Sequence, residues 1–360
     1  MKKVLLSFFI LLISFVSYSQ EEYIKGKVLK LEKIESPGDD VEDIKEIKIF
    51  NVKILEGESK GKEIYLEFPV YSEESYNLDI EEGMSVVLYE EYLEDGTSSF
   101  YIADIDKRNY IFILTGIFIA LTVLFAKKKG LKAIIALSLV IFFIYKGFLP
   151  GIIAGYSPII LSTITALFAS FITIYLMTGF TEKGIVAIFG SVLGVLAAGI
   201  LSFVFTNLMG LTGYTSVEAL NYAPLLKGID VKEIISAGVI LGSMGAVMDV
   251  AMSISSALEE LKERDNSISK KELFYSGMRI GSDVIGTMVN TLILAYIGSG
   301  ILSSIFIYLQ RDQYPIIRIL NFESVIVDIL RALCGSIGIL IAVPVTSYFS
   351  GIFQTKKDGE

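Results

Sequence analysis

A carboxylate stands in the middle of a long apolar run at Asp249, within Leu241-Gly242-Ser243-Met244-Gly245-Ala246-Val247-Met248-Asp249-Val250-Ala251-Met252-Ser253-Ile254-Ser255-Ser256. An ionisable group in such a run is costly in hydrocarbon, and it marks a functional position by default when it faces the interior of a helix bundle. Helical spacing gathers Gly242, Gly245, Ala246, Asp249, Ser253 and Ser256 on one stripe. That stripe is small enough for a neighbouring helix to approach closely and polar enough to receive a cation or proton. The competing role is a packing seam in which Gly, Ala and Ser admit the neighbour and Asp249 is a satisfied structural partner. Met244, Met248 and Met252 line an adjoining face, where filling the seam is the expected role, because thioethers alone hold hard cations poorly.

Two further clusters carry polar groups into apolar spans. Arg279, Asp283, Thr287 and Asn290 recur at intervals of four, four and three along one helical face. An Arg–Asp pair at that spacing can neutralise itself, so a structural pair is the expected role of Arg279, and the deeper Asn290 is the polar group of interest. Asp328 and Arg331 form a second near-neighbour pair, in a span whose Gly335, Gly338 and Pro344 favour close packing and a kink. The expected polar pathway therefore comprises Asp249, Ser253, Asp283, Asn290, Arg279, Asp328 and Arg331, with Gly242, Gly245 and Ala246 as packing positions. Lys146 lies near a span end and can snorkel to the surface.

Absences narrow the chemistry. The chain has no histidine and one cysteine, Cys334. An intramolecular disulfide, a Cys-clustered zinc or iron–sulfur site and His-based triads or proton relays are excluded. No Gly-rich phosphate loop, serine nucleophile elbow or paired membrane metalloprotease motif is present. No enzyme and no cofactor are expected.

These residues must be positioned by membrane-spanning helices. Of the 360 residues 53% are hydrophobic and 20% charged, a balance that a water-soluble globule would struggle to cover with polar surface. Charge divides the chain: residues 20–107 carry 24 Asp/Glu against 10 Lys/Arg, whereas 108–360 carry 16 against 19. The two parts occupy different environments, and nucleic acid is not a plausible partner for either.

Residues 1–19, with Lys2, Lys3 and an apolar run from Val4 to Val16, read as a secretory signal cleaved near Ser19–Gln20 or as an uncleaved anchor. From 20 to 107 the period changes to two: Ile64, Leu66, Phe68 and Val70 alternate, and similar runs recur at 23–34, 46–56, 84–92 and 99–105. Five strands predict a small OB-like β-barrel or a sandwich. Its acidic pairs Asp39-Asp40, Glu73-Glu74 and Glu81-Glu82 lack the spacing of a calcium loop and read as solvated surface.

After Arg108 come apolar stretches near the length needed to cross ~30 Å of hydrocarbon. They lie at 110–126, 131–149, 158–179, 184–208, 234–258, 284–309 and 325–349, with a tail at 351–360. The region 273–309 is too long for one straight crossing, so it either begins as an interfacial helix or is broken at Gly281 and Gly286. Basic residues cluster on one side, at Lys127 to Lys129, Lys132, Lys183, Lys262, Arg264, Lys270, Lys271, Lys356 and Lys357. The other loops hold Lys227, Arg311 and Arg318. The bias places the acidic domain outside and the tail in the cytoplasm.

The predicted architecture is a membrane all-α bundle of about seven transmembrane helices, residues 108–350, behind a small extracytoplasmic β-domain. The stretch from Gly242 to Ser253, followed later by Gly286-Thr287-Met288-Val289-Asn290-Thr291-Leu292-Ile293-Leu294-Ala295-Tyr296, resembles the YibE/F family of bacterial membrane proteins. That resemblance implies a bacterial plasma-membrane location and carries over no catalytic residues. Two functions stay open on the residues. One is a transporter or channel for a small solute or ion. The other is a membrane-anchored binding or signalling module whose outer domain engages a protein partner. Beyond the lipid bilayer, a second copy of the chain is the remaining partner considered.

Overall fold

The computed structural model describes residues 23–37, 43–73, 77–92, 97–215 and 217–354. The expected signal at 1–19, the pair Asp39-Asp40, Glu74 and the tail from 355 onward lie outside the described residues. The chain divides into two compact units at Phe125/Ala126.

In the first unit, β1 (Tyr23–Glu35), β2 (Ile44–Ile54), β3 (Glu63–Tyr71), β4 (Ser85–Tyr92) and β5 (Ser98–Ile105) form one antiparallel sheet in the order β3-β2-β1-β4-β5. Alternation along the pleat sends Ile24 and Val28, then Phe50, Val52 and Ile54, then Val86 and Leu88 into a common core. Long β1 serves two neighbours, pairing with β4 through Tyr23 to Lys27 and with β2 through Gly26 to Glu35. Irregularities at Val28/Lys30 and Leu31/Lys33 bend it between them. That curvature brings β3 against β5, so the sheet is a nearly closed barrel. Gly26 stands where the wall is tightest: a Cβ there would come within 2.8 Å of Leu88 Cδ1 and 2.9 Å of Val52 Cγ1.

The remainder is helical: α1 (Arg108–Phe143), a π turn at Ile144–Phe148, α2 (Leu149–Ile153), α3 (Pro158–Thr178), α4 (Glu182–Leu208) and α5 (Val217–Asn221). There follow α6 (Val231–Arg264), α7 (Lys270–Ser299), α8 (Ile301–Leu309), α9 (Ile316–Ile319) and α10 (Glu323–Phe353). Among the described residues, six helices are long and apolar enough to cross a membrane. The first of these runs for 46 residues, from Arg108 to Ile153. At 1.5 Å per residue that is about 69 Å, twice the hydrocarbon thickness. Its backbone breaks at Lys127, where φ is 49° and ψ −128°.

Caps fix several starts. Ser157 accepts from the Ile160 amide ahead of Pro158, and Thr181 from Gly184. Asp230 accepts from Lys232 and Glu233, and Ser269 forms a reciprocal capping box with Glu272. The last cap opens the helix that runs through most of the region 273–309. Helix α7 starts at Lys270 and continues without interruption through Gly281 and Gly286, and the chain breaks only at Gly300, before α8.

Helices α4, α6, α7 and α10 enclose the second core, with Val195, Ile240, Val247, Ile254, Leu273, Ile339 and Val343 at its centre. Small residues set the spacing. A Cβ on Gly194 would come within 2.8 Å of the Gly338 carbonyl, and one on Gly338 within 2.9 Å of the Gly194 carbonyl. Buried hydroxyls tie helices together, as Ser170 does with Ser191 at 3.0 Å and Ser202 with Ser236 at 3.3 Å. At one end Ser255 donates to the Lys183 carbonyl at 2.8 Å and takes Gln354 Nε2 at 3.2 Å, beside the Lys183–Glu259 ion pair.

Candidate functional site

Helix α6 buries one side and exposes the other. Ile240, Ser243, Val247, Val250, Ile254 and Leu258 face the core, while Gly242, Gly245, Asp249, Ser253 and Ser256 are exposed and Ala246 is half-buried. The stripe read from the sequence is therefore real as a face, but it opens outward from the helical unit. Met248 is buried against Ile174, Ala187 and Ala251 with Met244 and Met252 packed beside it, so the methionines fill a seam.

Helix α7 runs antiparallel to α6. A Cβ on Gly277 would lie 2.9 Å from Leu258 Cδ1, one on Gly281 would lie 3.2 Å from Ile254 Cδ1, and Gly242 faces Tyr296. Interpolation between these contacts puts Asp249 level with Gly286, with Asp283 and Asn290 about one turn to either side. Arg279, Asp283, Gly286, Thr287 and Asn290 are all exposed. Arg279 and Asp283 form no ion pair, although their spacing allows one. Among the described residues, Asp249, Arg279, Asp283 and Asn290 have no side-chain hydrogen bond or ion pair. Nothing lies within 4 Å of a Cβ built on Gly245 or Gly286. The self-neutralising Arg279–Asp283 pair expected from the spacing is not formed, and of the two roles open to Asp249 the structure shows, among the described residues, no structural partner for its carboxylate.

The third cluster has a different character. Asp328 takes Arg331 Nη1 at 3.2 Å, and Arg331 Nε lies 3.6 Å from the position of a Gly238 Cβ. One turn along α6, Gly242 leaves room for the Tyr296 phenol, whose hydroxyl is buried without a hydrogen-bond partner. Two glycines a turn apart thus receive a guanidinium from α10 and a phenol from α7. Gly242, read as part of the Asp249 stripe, belongs to this contact. Beside it opens a cavity of about 390 Å³, lined by Tyr296, Gly300, Ser303, Ser324, Asp328 and Leu333 among others. Its walls are mainly apolar with a few convergent polar groups, which is the make-up of a small-molecule site.

Tyr296 was not among the residues singled out from the sequence, and a lone tyrosine in an apolar span carries no signal. Glu323 was missed for the same reason: its carboxylate accepts from Thr212 N at 2.7 Å and Gly213 N at 2.5 Å, pinning the loop after α4 to the start of α10.

A nearly closed β-barrel followed by long apolar helices with polar groups on their faces defines a multi-pass helical membrane protein with an added β unit. The family model described as YibE/F-like protein matches residues 114–356, and the chain belongs to that family. No curated protein and no solved structure matches it.

Proposed function

We propose that the protein moves a small solute or ion across a bacterial plasma membrane, with the β unit outside and the C-terminus in the cytoplasm. In this reading the 46-residue stretch broken at Lys127 supplies two of seven crossings. The carrying observation is Asp249: a carboxylate halfway along an apolar helix, exposed and unpaired, level with the open Gly286. A structural charge in hydrocarbon would be paired, because leaving it alone costs about 3 kcal/mol at the bilayer centre. Ser253 and Ser256 extend the polar surface along α6, and Tyr296 and Asp328, the latter paired with Arg331, stand beside the cavity that a solute would occupy. The protein's own groups bind and release; no covalent step and no resident cofactor enter this reading.

The test is Asp249→Asn in proteoliposomes loaded with a pH-sensitive dye or a monovalent-cation indicator. The expected outcome is unchanged expression and detergent stability with flux abolished. A variant that is stable and fully active refutes the role of this residue.

One observation favours a second reading, a binding module. Tyr23, Tyr89 and Tyr101 are register neighbours across β1, β4 and β5, with the Tyr23 and Tyr89 rings 5.2 Å apart and Tyr23 and Tyr101 more than half exposed. An aromatic row on an acidic domain fits stacking against a sugar ring or a cationic group of a partner. Joint Tyr23→Ala and Tyr101→Ala substitution leaves flux intact in the transport reading. In the binding reading it abolishes binding of an oligosaccharide or a cationic peptide to the full-length protein.

A further inference from the structure

The outward face of α7 has a spacing that one copy of the chain does not use. Arg279, Asp283, Gly286, Asn290, Ile293 and Ile297 follow one another at alternating intervals of four and three. This is the 3.5-residue repeat of a seam between two helices wound round each other. The opposite side of α7 is already occupied, with Leu273, Gly277, Gly281 and Leu292 buried against α6 and α10. On the seam itself, all of these residues are exposed except the half-buried Ile293.

We propose that this seam is the interface of a symmetric homodimer, in which α7 packs against α7 of a second copy in parallel. Three features point to a copy of the same chain. First, Arg279 and Asp283 are opposite charges left unpaired within the chain. Across a two-fold axis along the membrane normal, Arg279 of each copy reaches Asp283 of the other, so the face is complementary in charge to itself. Second, Asn290 meets its own symmetry mate, and each amide supplies the donor and acceptor that the other lacks; a seam asparagine of this kind fixes register and favours two strands. Third, Gly286 has nothing within 4 Å of its Cβ position, which lets the two backbones close together between the charged and amide layers. Ile293 and Ile297 complete the apolar end, and both also line the cavity beside Asp328. The second copy therefore borders that cavity. The inference does not depend on the transport reading, since a binding module could dimerise in the same way.

The test uses the full chain in native membranes, with Cys334→Ala removing the buried native thiol. Asn290→Cys and Ile297→Cys, made singly, should cross-link to a species of twice the chain mass under mild oxidation. Ile200→Cys, on the 63% exposed outer face of α4, should not. Charge reversal supplies a second readout in nanodiscs by single-molecule mass measurement. Arg279→Asp and Asp283→Arg alone should each lower the dimer fraction at least tenfold, and the two together should restore it. Any one of three results overturns the proposal: a monomeric protein, equal cross-linking at Ile200, or cross-linking of position 290 to a protein of different mass. Failure of Asp249→Asn to affect flux would leave this dimer untouched.

Discussion

Replacing Asp106 with asparagine removes one buried negative charge from the end of the β unit while keeping the shape of the side chain. The native carboxylate is fully buried and holds Lys25 Nζ at 3.1 Å and Arg108 Nε at 2.8 Å, and it accepts the Arg108 backbone N–H at 3.1 Å. The hydrogen bond from the Arg108 side chain outweighs the cost of burial and lowers its pKa from 3.8 to about 2. A depressed carboxylate binds its proton less readily in the folded state than in the unfolded chain. Its contribution is therefore complete above about pH 4 and is lost as the pH falls through about 2. At 1.36 kcal/mol per pKa unit that contribution is about 2 kcal/mol, on the order of 10 °C in the melting temperature of a domain this size. Urea melts of a soluble fragment covering 20–110 supply the measurement, at pH 7, 4 and 2.5, for the native sequence and Asp106→Asn. The variant should be less stable by about 2 kcal/mol at pH 7, with the two converging toward pH 2. A gap of the same size at every pH would trace the loss to packing and not to charge, and no gap at pH 7 would refute the reasoning outright.

The orientation can be read chemically: in a chain lacking Cys334, a cysteine placed in the β unit should react with an impermeant thiol reagent from outside, and one beside Lys270 should not. The reverse pattern would invert the proposed topology. Gly194→Ala should destabilise the helical unit by about 1–3 kcal/mol, because its methyl group meets the Gly338 carbonyl at 2.8 Å and the Val247 side chain at 2.7 Å. Gly245→Ala, with open space around it, should be nearly neutral. Detergent melting curves of the two variants separate them, and equal losses would contradict the packing described.

What could be read from the sequence is what depends on near neighbours along the chain. Alternation around Leu66 and Phe68 announced a strand, and mean hydropathy announced the apolar helices, because both signals are local. The start of α7 was not legible for the same reason. Lys270, Lys271, Glu272, Arg279 and Asp283 dilute the hydropathy of its first half, whereas the helix is set by the Ser269–Glu272 capping box and by Gly277 and Gly281 docking on α10 and α6. Helical geometry put Gly242 and Asp249 on one face but could not say which neighbour each would meet. The contact of Tyr296 with Gly242, and of Arg331 with Gly238, joins residues that are tens of positions apart and exists only once three helices have assembled. Direction is likewise tertiary information: no pattern along α6 tells whether its polar stripe points into the bundle or out of it.

Where α4 crosses α10, the Gly194 and Gly338 backbones touch with no side chain between them. A contact made of side chains can adjust by changing rotamer, but one made of main chain has no such freedom. Rolling either helix at this point would press one main chain against the other. A methyl group added at either glycine therefore has no rotamer into which to retreat, and the helices themselves must part to admit it.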